Sequence, residues 1–436
     1  MSGHDESLTT LRGTFVDSAG VLRAKQVPME HAEVFADGGL GASPVFSTFT
    51  ADDQVAASPG IGPVGDLRLR ADLEAAVPLG GGILWAPTDL VDQDGEPVAA
   101  CPRSALRRQL ALASSAGLEV RTGIEVEFVL YEEATGRPMP SQAYGLSSLD
   151  AHEALVDDLM ASLADVGLTP EQLHAEYGPG RFEVSFGPAD PLATADANVL
   201  ARIVISTAAR RHGCVASFSP KHSLDDVGTG AHHHLSLAAD GVPLLSGGTG
   251  PHGLTPSGEA VIASLVHHLP EILGGLAPSA PSALRLAPES WSGAFACWGL
   301  ENREAAVRLC EATHGNHHGA HLEVKVIDPS ANVYVAGALL LGTARLGMAT
   351  PLALPAEVGV DPGTLSAEEL GRLGVQPLGQ GLAATIDAFA TSGLAAEILG
   401  EGLLAPLVAV RRHEVGLLDE LGPQAVVERL RFVWSA

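Results

Sequence analysis

Acidic and histidine side chains recur at every second position of several short segments, the spacing at which a β-strand turns them to one face. In GIEVEFVLY, Glu125 and Glu127 share a face with Val129 and Tyr131, while Ile124, Val126, Phe128 and Leu130 take the other. Carboxylates roughly 7 Å apart on one strand repel each other unless a cation or water lies between them. RFEVSFG sets Arg181, Glu183 and Ser185 against Phe182, Val184 and Phe186, and Glu176 precedes it across the turn YGPG. HHHLSL places His232, His234 and Ser236 on one side, directly after a Gly-rich GTG, and HLEVKVID does the same for His321, Glu323 and Lys325. One such strand reads as solvated surface. Four in one chain need a common partner, and a metal site supplies it. Oxygen donors with an occasional histidine suit magnesium or manganese, ions that accompany phosphates. A zinc hydrolase on His232 and His234 would use fewer carboxylates.

A second group lies between the last two of these strands: Arg285, Arg303 and Arg308. Arginine offers fixed paired donors to carboxylate or phosphate, so the three could grip an acid substrate and a transferring phosphoryl group; structural ion pairs are the plainer alternative. Activation of a carboxylate would use both groups. ATP turns the poor electrophile into an acyl phosphate, metal ions neutralise the phosphates, and an amine displaces phosphate to give an amide.

The chain that must position these residues has 436 of them, enough for two domains. Hydrophobic residues make up 46% and charged residues 18%, which fits a folded protein rather than a disordered one. With 52 acidic against 25 basic side chains the formal charge is -27, unfavourable for nucleic acid and anionic membrane and favourable for cations. Cys101, Cys214, Cys297 and Cys310 show no CxxC spacing and read as reduced buried thiols, which points to the cytoplasm. MSGHDESLTT has no export pattern, and Val333 to Ala344 is too short to span a bilayer.

Residues 1–102 mix short strands with Gly- and Pro-rich turns and read as a small β-rich domain. Residues 103–436 read as an α+β domain. Its first helix follows Pro102, with Ser104 as cap, Leu106, Leu110 and Ala113 on one face and Gly117 as stop. Asp150 and Glu153 form a capping box ahead of Leu155, Leu159 and Leu163, and Pro191 opens a helix to about His212. Ser246 to Gly258 and Ala277 to Ser292 read as long loops.

Together these motifs resemble the glutamine synthetase family, in its order, from about Gly65 onward. GIEVEF is similar to its Glu-x-Glu strand and EYGPGRFEVSF to its second acidic pair. SFSPKH with GTGAHHHLSL is similar to its lysine and glycine-histidine segment; LRLAPESW, ENREAAVRL and HLEVKVIDPSANVY resemble its arginine and last-ligand segments. The resemblance implies an N-terminal β-grasp domain, a catalytic domain with a curved antiparallel sheet and flanking helices, and stacked-ring homo-oligomers (dodecamers) with active sites between subunits. It also implies two or more Mg2+ or Mn2+ ions, with ATP as co-substrate. Carried over by position, Glu127, Glu176 and Glu183 would hold one ion and Glu125, His232 and Glu323 the other. His234, Ser236, Arg308 and His321 would serve ATP, Arg285 and Gly228 glutamate, and Arg303 the transferring phosphate.

The departures narrow the amine. Counting from Arg285 to Arg303, Trp291 stands where ammonia-using members place a glutamate that shields the acyl phosphate and removes a proton. The ammonium-binding Asp-Gly-Ser-Ser segment is replaced by ASPVFSTFT. Both changes disfavour ammonium and make room for a carbon-bearing amine, as in the γ-glutamylpolyamine and related γ-glutamylamide synthetases. His321 and Lys325 stand where arginines are usual, so Lys325 keeps charge near the phosphate but loses the fork. The expected activity is ATP-dependent formation of a γ-glutamylamide from glutamate and a primary organic amine such as ethanolamine, a polyamine or an aromatic amine. An ammonia-using glutamine synthetase, a non-catalytic relative and a metal-dependent amidohydrolase are the alternatives. Asp225, Asp226 and Glu289 are candidates for lining a polyamine entrance.

Overall fold

The computed structural model describes residues 7–316 and 319–436; residues 1–6, part of the segment read as lacking an export signal, lie outside the described residues. Strands β1 (Thr10–Val16), β2 (Leu22–Pro28), β3 (Leu40–Ala42), β4 (Leu67–Ala71), β5 (Val77–Pro78) and β6 (Ile83–Val91) form a six-stranded sheet. Helix α1 (Ala32–Asp37) packs on it through Phe35, whose ring lies so close to Gly13 that a Cβ there would meet it at 2.4 Å. A small hydrophobic core runs from Leu11 to Cys101 within this part.

Helix α2 (Pro102–Ser115) follows. Pro102 supplies its first turn and Cys101 is the residue before it, so Ser104 lies inside the helix rather than capping it. Arg103 on α2 is buried and holds three carboxylates at once: Asp72 at 2.8 Å, Asp89 at 3.1 Å and Asp196 at 2.8 Å. The Tyr334 hydroxyl also donates to Asp196, at 2.7 Å. This network ties the first sheet to the helices behind the second part of the chain. Arg103→Ala would leave buried carboxylates without their cation, and we expect a loss of about 3–5 kcal/mol, read by denaturant unfolding.

Strand β7 (Leu118–Ile124) leads almost directly into β8 (Val126–Glu132), yet the two join different sheets. β8 lies with β9 (Arg137–Pro138), β10 (Pro170–Ala175), β11 (Arg181–Phe186) and β12 (Cys214–Ser217), in the order β10-β11-β8-β12 with β9 beside β8. β7 pairs with β13 (His233–Ala239) in a seven-stranded sheet that also holds β14 (Val242–Pro243), β15 (Phe295–Leu300), β16 (Ala305–Cys310), β17 (His321–Val324) and β18 (Gln376–Pro377). GIEVEFVLY is therefore not one strand, because the ladder breaks at Glu125, and Val126 to Tyr131 are buried on both faces rather than alternating with solvent.

Helices cover these sheets and make the fold α+β. Between β9 and β10 stand α3 (Leu146–Ala151) and α4 (Glu153–Asp165). His152 occupies the position before α4, so the expected Asp150/Glu153 capping box is absent, although Leu155, Leu159 and Leu163 are buried as the periodicity requires. α5 (Pro191–Arg211) starts at its proline, and Asp190 accepts from the amides of Leu192 and Ala193. It is the one helix among the described residues long and apolar enough to cross a membrane, and 78% of its apolar window is buried in the core. α6 (Pro256–Leu276) is followed by α7 (Ala280–Arg285), a short helix inside the segment read as a loop, held by a capping box of Ser279 and Ser282. α8 (Val333–Ala349), the most apolar stretch, packs against α6 and α2. All four cysteines are free and buried.

Candidate active site

The inner rows of the two sheets meet at a cavity of about 770 Å³. In the seven-stranded sheet, His234 on β13 faces Glu323 on β17, which faces Arg308 on β16. In the five-stranded sheet, His174 on β10 faces Glu183 on β11, which faces Glu127 on β8. Residues far apart in sequence thus form two short rows. Glu125 sits at the joint, its amide bonded to the His232 carbonyl at 3.1 Å.

Donor atoms of Glu125, His232 and Glu323 all lie within 4.8 Å of one another, and so do those of His174, Glu176 and Glu183. The electrostatics of the two groups differ. In the first, cations balance the carboxylates. His232 Nδ1 is 2.7 Å from Glu125 and 3.2 Å from Glu323, and Glu323 accepts from Lys325 Nζ at 2.9 Å and from the Arg308 guanidinium at 3.0 Å. Burial alone would raise both carboxyls; Lys325 and His232 hold Glu323 well below the ordinary range, and His232 with His234 does the same for Glu125. Burial and Lys325 press the other way on His232, but its two carboxylates raise it overall.

The second group carries uncompensated charge. Burial, then Glu125, Glu127, Glu176 and Glu323, push the Glu183 carboxyl up to about 10. A divalent cation is the species that relieves such a cluster, so the donors fit the metal that the sequence implies. Glu127 is held apart, accepting from the Gly230 amide at 2.9 Å and from Arg181 at 3.4 Å.

The sequence-predicted residues are mostly brought together. Glu125, Glu127, Glu176, Glu183, His232 and Glu323 line the cavity, as do Gly228, Arg285, Trp291, Arg303, Arg308 and Lys325. His234, Ser236 and His321 do not; they continue beyond Glu125 on β13 and β17, where the rings of His234 and His321 lie 5.1 Å apart. Asp225 and Asp226 are also outside it, Asp226 standing 2.9 Å from His222, whereas Glu289 lines the wall. The sequence reading passed over His174 and Tyr144; the alternation that marked Glu125 and Glu127 also relates His174 to Glu176.

Arg285 is buried and donates to the carbonyls of Val326 at 2.8 Å and Lys325 at 3.0 Å. Gly228 rests on it, and a Cβ there would come 2.3 Å from Arg285 Cγ. Gly228→Ala is expected to displace that arginine or to cost roughly 1–3 kcal/mol of stability, the range of an overpacked contact, read by denaturant unfolding.

Residues 99–425 match the family model described as the glutamine synthetase catalytic domain. The chain belongs to the glutamine synthetase family. It is 39% identical over 428 residues to a gamma-glutamylpolyamine synthetase of Streptomyces coelicolor, covering 96% of this chain and 92% of that protein. It is 27% identical to a glutamine synthetase of Pyrococcus horikoshii, over 94% of this chain and 90% of that one. A crystal structure of a novel glutamine synthase homolog overlays with a TM-score of 0.88 at 31% identity, covering 99% of this chain and all of that one. A GmaS complex with ADP gives 0.83 at 25% identity, over 97% and 96% of the two chains. The glutamine synthetase resemblance read from the motifs thus holds, and the protein is an ATP-dependent glutamate-amine ligase of that family.

Proposed function

We propose that this glutamine synthetase relative joins the γ-carboxyl of glutamate to a primary organic amine through γ-glutamyl phosphate, converting ATP to ADP and phosphate. The observation that carries the choice of amine is Trp291. Its indole is 53% exposed on the cavity wall, offering apolar surface where ammonium would need negative charge. The turn that presents it is strained: Glu289 and Trp291 stand at φ values of 58° and 52°, and the Trp291 amide is bonded to Glu304 at 2.8 Å. Bulky residues persist in that conformation where a site makes use of it. The name of the Streptomyces relative supports the same reading.

In this reading Arg285 and the Gly228 backbone seat glutamate, while Arg308, His234, Ser236 and His321 face the nucleotide. Arg303 steadies the phosphoryl group as it passes from ATP to a γ-carboxyl oxygen. Lys325, fixed to Glu323, keeps positive charge beside that transfer. The amine nitrogen then attacks the acyl carbon and gives up a proton, and phosphate leaves with the electron pair of the C–O bond. Glu125, His232 and Glu323 would hold one Mg2+ or Mn2+, and Glu127, Glu176 and Glu183 another. Such ions supply neutralisation of the phosphate charge. Residues 1–102 form the N-terminal domain and 103–436 carry the chemistry. The working unit is a cytoplasmic dodecamer of stacked rings, which sedimentation would test.

The experiment is phosphate release from ATP with Mg2+ or Mn2+ and glutamate, across ammonium, methylamine, ethanolamine, putrescine, spermidine and aniline. An organic amine outpacing ammonium is the expected result and names the substrate. Ammonium in the lead would make the protein a glutamine synthetase. No release with any amine would exclude every amine of the panel and overturn the organic-amine reading.

A further inference from the structure

The cavity wall contains a histidine that the ligand assignment above leaves unused. His174 on β10 lies opposite Glu183 and two residues before Glu176. Its Nε2 is 3.8 Å from Glu176 and 4.0 Å from Glu183. Those separations are too long for hydrogen bonds, which need about 2.7–3.2 Å. They suit donors that share an ion, since two ligands bonded at about 2.1–2.3 Å to one cation stand roughly 3–4.5 Å apart.

The ring is also held in place. Tyr144 stacks on it with centroids 5.0 Å apart and planes at 20°, and the Tyr144 hydroxyl donates to Glu176 at 2.8 Å. Tyr144 stands in the left-handed region at φ 53°, its amide bonded to the Ala175 carbonyl at 2.8 Å, next to His174 on the same strand. One residue in an unfavourable backbone conformation therefore aligns two donors, the supporting arrangement that orients metal ligands.

We propose that His174 is a nitrogen ligand of the cation held by Glu176 and Glu183, and that it biases this position toward Mn2+ over Mg2+. The inference rests on the reading that Glu176 and Glu183 hold a cation. Mg2+ takes oxygen donors and keeps its waters, whereas Mn2+ accepts imidazole more readily. A position made of carboxylates alone would lack that bias.

The test uses the full chain with metal alone, free of ATP, glutamate and amine, so it stands apart from the amine panel. Mn2+ is added at two equivalents to His232→Asn, which removes the imidazole of the other donor group, and pulsed EPR reads nitrogen hyperfine coupling. We expect a directly bound 14N signal that disappears when His174→Gln is added. In titrations of the protein with intact His232, His174→Gln should weaken Mn2+ at this position about tenfold or more and Mg2+ less than about threefold. Absence of the 14N signal in His232→Asn overturns the proposal, as does an equal loss of both metals. If His174→Gln fails to fold, His174→Asn takes its place, and a 14N signal that persists in His232→Asn/His174→Asn overturns the proposal. If Glu183→Gln leaves the binding of both metals unchanged, the cation reading beneath the proposal falls with it.

Discussion

Glu183→Gln is expected to make the metal-free protein more stable at neutral pH while lowering activity by about 10³-fold or more. In the unfolded chain this carboxyl titrates near 4.5; in the folded protein burial and the surrounding glutamates push it up to about 10. Between those values the folded state must retain a proton that the unfolded chain has released. The group's contribution is therefore fully present below about pH 4.5 and drains away as pH rises toward 10, a cost on the order of 3 kcal/mol by pH 7. Glutamine carries no charge and avoids that cost. Thermal melts should place the variant a few degrees above the parent at pH 7, with the gap closing near pH 4. Saturating Mg2+ or Mn2+ should reverse the order, because ligand binding stabilises the protein that keeps its donor. A variant less stable than the parent at pH 7 without metal would show that the crowding of carboxylates is relieved in another way.

The second large effect is expected at Arg303, and it should appear in rate alone. Arg303 is exposed on the cavity wall and makes no ion pair among the described residues, in contrast to Arg308, which is held by Glu301 and Glu323. Nothing in the fold depends on it, so Arg303→Ala should leave the melting temperature nearly unchanged. A guanidinium that meets charge only as a phosphoryl group transfers contributes to the transition state, and its loss costs about 10³-fold in kcat. Arg303→Lys should recover only part of that, since an ammonium lacks the fork. Steady-state kinetics with glutamate as the varied substrate check this. A raised KM at constant kcat would assign Arg303 to ground-state binding instead.

The strands that carry the chemistry were legible because their period is 2 and their inner positions are ionisable. β11, β13 and β17 follow that pattern closely, and α5 announces itself by Asp190 and Pro191. The break at Glu125 was not legible. Ile124 and Val126 are both apolar and both buried, and nothing local says that one faces β13 while the other leads into the ladder with β11. The misplaced caps at Ser104 and Asp150 arose the same way: both residue types favour helix starts, but Pro102 had already begun one helix and α3 had absorbed the other. His174 was within reach of the rule that found Glu125, and was missed because PEQLHA lacks the apolar alternation that flags a strand.

That break has a consequence for how the site holds its dimensions. Glu125, His232 and Glu323 belong to the margin of one sheet, while Glu127, His174, Glu176 and Glu183 belong to the other. Only Glu125 separates Ile124 in one ladder from Val126 in the other, and the paired backbone bonds of Thr122 and Ala189, each 2.9 Å, tie β7 to the chain just after β11. One added residue at that joint would leave each donor group intact and shift the two out of step, which makes Glu125 the ruler of the site as well as one of its donors.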